Sequence, residues 1–215
     1  MRDVASFEHT VAPGDRESLV ARGRRLEYVT IAWNGFEAAV ALLSGVLAGS
    51  IALVGFGLDS LIETASALAL LWRLGADREQ ERRELAERRA HRIVGVCFLL
   101  LAAYIAIESS HALWIRERSS PSVPGVLIAI AAMLVMPLLG RAKRRVAVRL
   151  GSGALHSDSR QADFCAWLSA ILVAGLLSNA LLGWWWADSV AALTMVPIIA
   201  REGVRGLKGE ACACG

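Results

Sequence analysis

The chain has 215 residues, 55% of them hydrophobic, a mean hydropathy of +0.48 and a formal net charge of +3. That is too apolar for an ordinary soluble domain, whose apolar share runs at ~45–50%, and the charges are gathered in short blocks between long uncharged runs. The excess positive charge flanks those runs, which gives it a topogenic meaning and no role with nucleic acid; attraction to anionic lipid headgroups follows as a by-product.

Crossing ~30 Å of hydrocarbon at ~1.5 Å per residue takes roughly 20 mostly apolar residues. Residues 1–26 carry Arg, Asp and Glu throughout and hold no apolar core ahead of a small-residue cleavage site, so they read as a cytoplasmic tail and not a signal peptide. The first span is predicted from Tyr28 to Leu47 and the second from Ile51 to Leu71, joined by Ala48-Gly49-Ser50. From Arg78 to Arg92, Arg and Glu alternate at helical spacing, as in a salt-bridged helical extension of spans two and three. The third span runs from Ile93 to Trp114, the connection Arg116–Pro124 follows, and a shorter fourth span runs from Gly125 to Leu139. The fifth covers Ala162 to Leu182, with room for a start one or two turns earlier, and the sixth covers Trp184 to Ala200. Trp184, Trp185 and Trp186 stand where an interfacial aromatic belt is expected. The domain reading is therefore a tail (1–26), one six-helix transmembrane domain (27–200) and a second short tail (201–215).

Charge asymmetry gives the orientation. Every Lys and Arg except Arg116 and Arg118 lies in the N-terminal tail, the 2–3 connection, the 4–5 connection, the adjoining helix ends or the C-terminal tail. Positive residues mark the cytoplasmic side, so the expected fold is an all-α polytopic bundle with both termini cytoplasmic, multi-pass in the cytoplasmic (plasma) membrane. Cys97 and Cys165 lie in apolar runs and read as small packing groups. Cys212 and Cys214 belong to a frayed tail on the reducing side, and no Cys/His spacing suggests structural zinc.

Polar residues inside the spans carry the functional argument, because a carboxylate at the centre of a membrane helix costs at least ~2.5 kcal/mol. Asn34 and Glu37 share a face of the first span, and Asp59 and Glu63 share a face of the second. From the outer end at Ser50, Asp59 lies ~14 Å and Glu63 ~20 Å into the bilayer. Two carboxylates one turn apart at mid-depth offer the oxygen ligands that a divalent cation needs once it sheds water. Hydrogen bonds between membrane helices average only ~0.6 kcal/mol, too little to justify two buried acids as glue. The remaining ligands must come from another helix, and the fifth is the one with clustered candidates: His156, Asp158, Gln161 and Asp163. Asn34, Glu37 and Glu108 read equally well as interhelical or proton-path groups and as ligands, and Asp188 reads as a cap on its own sixth helix.

At these residues the chain resembles the transmembrane part of the cation diffusion facilitator (cation efflux) family. Ser50–Thr64, SIALVGFGLDSLIET, resembles the family's second helix, and Trp186–Leu193, WADSVAAL, resembles the start of its sixth. The likeness spans about Leu26 to Gly206. It implies six helices, a four-ligand site shared by helices two and five, a homodimer, and cation export coupled to proton uptake. The family's His-x-x-x-Asp pair on helix five is missing: His156 is followed four on by Arg160, Asp158 by Ala162, and only Ser159 by Asp163. A short subgroup with an Ala/Ser-Asp-x-x-Gln pattern would select Asp158 and Gln161, whereas depth favours Asp163, ~24–28 Å from the outer end of its helix. The candidate ligands are thus Asp59, Glu63, His156, Asp158, Gln161 and Asp163. Only Arg201–Gly215 follows the sixth span, so the cytoplasmic metal-binding domain common in the family is expected to be absent. Without a His on helix two, manganese, iron and cobalt stand beside zinc as substrates. No prosthetic group is expected, and no nucleophile constellation or phosphate loop points to an enzyme. The alternative function is a non-transporting metal-binding or regulatory membrane protein.

Overall fold

A computed structural model describes residues 13–75 and 80–208, which form six helices: α1 (Pro13–Ala48), α2 (Ile51–Gly75), α3 (Gln80–Ile115), α4 (Val123–Leu150), α5 (Gly153–Leu182) and α6 (Ala187–Lys208). Residues 1–12, Cys212 and Cys214, and the side-chain pairing anticipated between Arg78 and Arg92 lie outside what is described. No strand occurs among the described residues. The protein is a multi-pass, all-helical membrane bundle.

The helices outlast the apolar runs of the sequence reading, except at the start of α6, which begins three residues later than expected. α1 begins at Pro13, so the described part of the expected tail is helical and continuous with the first span. α4 continues through Arg141–Arg149, because Lys and Arg are good helix formers, and it stops where Gly151 takes a left-handed φ of 60° and its N–H caps the carbonyls of Ala147 and Val148. Ser152 then accepts from Leu155 N–H and starts α5 at Gly153, about two turns before Ala162. α6 begins at Ala187; the three tryptophans precede it, with the exposed Trp184 and Trp186 stacked at a 5.0 Å centroid separation.

Five of the helices are long and apolar enough to cross a membrane by themselves. α6 is the exception: Asp188 at one end and Arg201, Glu202, Arg205 and Lys208 at the other leave residues 189–200 as its uncharged stretch, or ~18 Å of helix. It is carried by its neighbours, packing chiefly along α3 and also on α5. The other four helices close a ring in the order α1, α2, α5, α4. One apolar core runs through the bundle, including Leu53 and Phe56 of α2, Ile105 of α3, Leu168 and Leu172 of α5, and Met195 and Ile199 of α6.

α3 and α6 approach until backbone meets backbone. A Cβ on Gly95 would lie 2.7 Å from the Gly203 carbonyl oxygen and 2.7 Å from Leu207 N. Gly95→Ala is therefore expected to push the two helices apart and lower the thermal stability of the purified protein, at an overpacking cost of about 1–3 kcal/mol. Gly35→Ala, where the added methyl meets nothing within 4 Å, should be neutral or slightly stabilising. Equal melting temperatures for the two variants would show that this close approach does not hold α6 in place.

Candidate cation site

The face of α2 that enters the ring is read directly from the helical period. Ala52, Phe56, Asp59, Ser60, Glu63 and Ala67 are all buried at three- and four-residue intervals. Asp59 is 0% exposed and Glu63 5%. The acids therefore point into protein. α5 faces them with a second stripe of the same period, containing Asp158, Gln161, Cys165, Leu168 and Leu172. A ligand atom from each of Asp59, Glu63 and Cys165 falls within 4.8 Å of the others, with all three residues buried.

Two polar groups from α1 surround this cluster. Asn34 donates Nδ2–H to Glu63 Oε2 at 3.0 Å. Glu37 is saturated: Oε1 accepts from the Ser60 hydroxyl at 2.6 Å and Oε2 from the Trp33 indole at 2.7 Å. The Cys165 thiol lies 3.9 Å from the same Glu37 Oε1. Asp59 is the opposite case. Neither of its oxygens has a hydrogen-bond partner, nor do Glu63 Oε1 or Asn34 Oδ1. Gln161, one turn before Cys165, has its amide beside Glu63. Buried polar atoms are nearly always paired, so this concentration of unpaired acceptors makes the cluster a candidate place for a positive ligand.

The candidates on α5 are distributed by helical phase. Gln161 reaches the carboxylates. Asp163, two residues on, is turned to another face, where its 44% exposed side chain pairs with Arg144. Asp158 is on the right face, but lies two turns from Cys165 and pairs with Lys143. His156, in the first turn of α5, is half-buried and is not in the Asp59–Glu63–Cys165 group. Cys165, read from the sequence as a packing group, lies in the apolar core and also joins the Asp59–Glu63 cluster, four residues after Gln161 as Glu63 is after Asp59.

Asp188 also acts elsewhere than expected. Its carboxylate accepts from the Ser50 hydroxyl at 2.5 Å and from Ile51 N–H at 2.9 Å, so it caps α2 instead of its own helix. α2 begins at these residues, and the cap ties its start to α6. The register that sets Asp59 and Glu63 opposite α5 is thereby fixed at the end of the helix.

A six-helix membrane bundle with two buried carboxylates and a thiol converging between α2 and α5 has the makings of a protein that handles a cation inside the bilayer. Residues 28–209 match the cation efflux transmembrane domain, and the chain belongs to that family. It is also similar to a protein of Synechocystis described as an uncharacterized transporter, sll1263, at 26% identity over 174 residues, which is 77% of this chain and 56% of the relative. The chain thus spans little more than half the length of that relative.

Asp59 makes no bond that Asn would lose, and it stands beside another buried acid. Asp59→Asn is expected to raise the melting temperature of the metal-free protein, while Glu37→Gln, which disturbs bonds to Trp33 and Ser60, should lower it by about 1–3 kcal/mol of stability. Thermal unfolding of the two variants in detergent checks this. Destabilisation of both by similar amounts would mean that Asp59 is structural.

Proposed function

We propose that the protein is a divalent metal cation transporter that exports zinc or a similar transition metal in exchange for protons. The observation that carries this reading is that one carboxylate oxygen each of Asp59 and Glu63 and the Cys165 sulfur lie within 4.8 Å of one another, in a place where both Asp59 oxygens and Glu63 Oε1 have no hydrogen-bond partner. Two carboxylates, a thiol and the nearby amides of Asn34 and Gln161 make a mixed oxygen–sulfur donor set. Such a set favours zinc, cobalt, iron or manganese over magnesium or calcium, which prefer oxygen alone.

In this proposal the cation arrives from the cytoplasm, where both termini and the basic 2–3 and 4–5 connections lie. Asp59, Glu63 and Cys165 strip part of its water shell and hold it between α2 and α5. The thiol gives up its proton when its sulfur binds the metal. On release to the other side, protons on the carboxylates and the sulfur replace the departing charge, so the buried site is never left with uncompensated negative charge, a state costing several kcal/mol per ion. The plasma membrane as location and a homodimeric assembly complete the proposal and rest on the family resemblance. No enzymatic step is involved.

Flux of zinc, manganese, iron and cobalt into proteoliposomes under imposed pH gradients tests the reading. Wild-type protein should move at least one of these metals, with the rate rising when the gradient drives protons the opposite way. Asp59→Ala should abolish that flux while inserting normally, and Cys165→Ser should shift preference away from zinc toward manganese by about tenfold or more. Metal binding without flux for every metal, in correctly inserted protein, would favour the binding or regulatory function.

A further inference from the structure

A second group of buried charges lies between the cation site and the end of the bundle that carries the 4–5 connection. Lys143 of α4 is 1% exposed and Glu27 of α1 0%. The Lys143 ammonium donates to Glu27 Oε2 at 3.1 Å and also to Asp158 Oδ2 of α5. Three helices are thus joined through one ammonium. Glu27 Oε1 is buried and has no hydrogen-bond partner. Two carboxylates sharing one cation leave the cluster short of positive charge, and a buried acid oxygen with no donor is the local sign of it.

The helical period connects this cluster to the cation site. Glu27 and Asn34 are seven residues apart on α1, and Asp158 and Cys165 are seven apart on α5. Each pair spans two turns of one face, or ~10 Å. Along both helices the polar groups thus continue from Lys143 to the Asn34–Glu63 hydrogen bond and the thiol, through apolar surroundings. Lysine suits such a position: its ammonium is a compact charge on a flexible stem that can leave, unlike the planar fork of arginine.

We propose that Glu27 and Asp158 form a second divalent-cation site, a relay between the basic end of the bundle and Asp59–Glu63, and that the Lys143 ammonium fills it until an arriving cation displaces it. The relay role rests on the reading of Asp59–Glu63 as the transport site; the existence of the second site does not.

The sequence supplies a direct reporter, because Lys143 and Lys208 are its two lysines and Lys208 is exposed. Full-length wild-type protein in detergent is treated with acetic anhydride, and acetylation of each lysine is followed by peptide mass spectrometry, with and without manganese(II). Lys143 should be protected without metal and acetylated at least tenfold faster with it, while Lys208 is unaffected. The same acceleration should persist in Asp59→Ala/Glu63→Ala and disappear in Glu27→Gln. A metal-independent Lys143 rate would overturn the proposal. So would acceleration that needs Asp59 and Glu63, since Lys143 would then be responding to the deeper site. Flux reads the transport function separately, so failure of one is distinguishable from failure of the other.

Discussion

The bundle is organised around a pair of carboxylates that a membrane helix would otherwise avoid. Asp59 and Glu63 sit one turn apart on the most buried face of α2, and leaving an acid near the bilayer centre without compensation costs several kcal/mol. The neighbouring helices meet this constraint with polar groups at matching depth. α1 contributes Asn34 to Glu63, and α5 contributes Gln161 and Cys165. α6, the helix that is not long and apolar enough to cross a membrane by itself, contributes from a distance: Asp188 holds the first turn of α2 and so fixes the register of everything two turns below.

Two acids only a few ångströms from the same thiol are treated differently. Glu37 has donors on both oxygens, from Trp33 and Ser60, and behaves as a finished structural element. Asp59 has none. A fold that can saturate Glu37 so completely had the means to saturate Asp59, since hydroxyl and amide groups are abundant on the adjoining faces. Leaving Asp59 open sacrifices stability where a cation would supply it, the pattern expected when a site is shaped for a ligand instead of for rigidity.

The buried face of α2 is legible in the sequence because its information is local. An apolar helix interrupted by two acids four apart states which face it turns inward without reference to any other segment. α5 was harder for a physical reason. His156, Asp158, Gln161, Asp163 and Cys165 lie within three turns, ~13 Å of helix, so depth separates neighbours among them by only a few ångströms while helical phase sends them to different faces. Depth pointed to Asp163, and phase places it against Arg144 and brings Cys165 inward. The useful signal was the repeat of a four-residue spacing, Gln161 to Cys165 against Asp59 to Glu63, which is visible only when the cysteine is counted as a ligand. Asp188 was misread for another reason: its partners are 137 and 138 residues away, and local capping rules describe a helix's own first turn. The helix ends were short in the reading because hydropathy measures where lipid begins, whereas helix formation continues through Arg and Lys until a residue such as Gly151 stops it.

Buried charge is graded along the bundle, and the grading bears on direction. At the end carrying the 4–5 connection, arginines such as Arg141, Arg145 and Arg149 crowd the helix ends, a barrier to any free cation on Coulomb grounds. Just inside, Lys143 is shared by Glu27 and Asp158. Deeper still, Asp59 and Glu63 have no cationic partner among the described ion pairs. Under the proposed function, a divalent cation that passes the basic rim would meet progressively less competition from the protein's own positive charges, and its attraction would grow toward the centre. Such a gradient draws the ion in and, taken alone, would trap it. Release therefore requires something that removes negative charge from the central site at the right moment. In the proposed exchange, that agent is protons arriving from the opposite face, which would bind the same carboxylate oxygens as the metal.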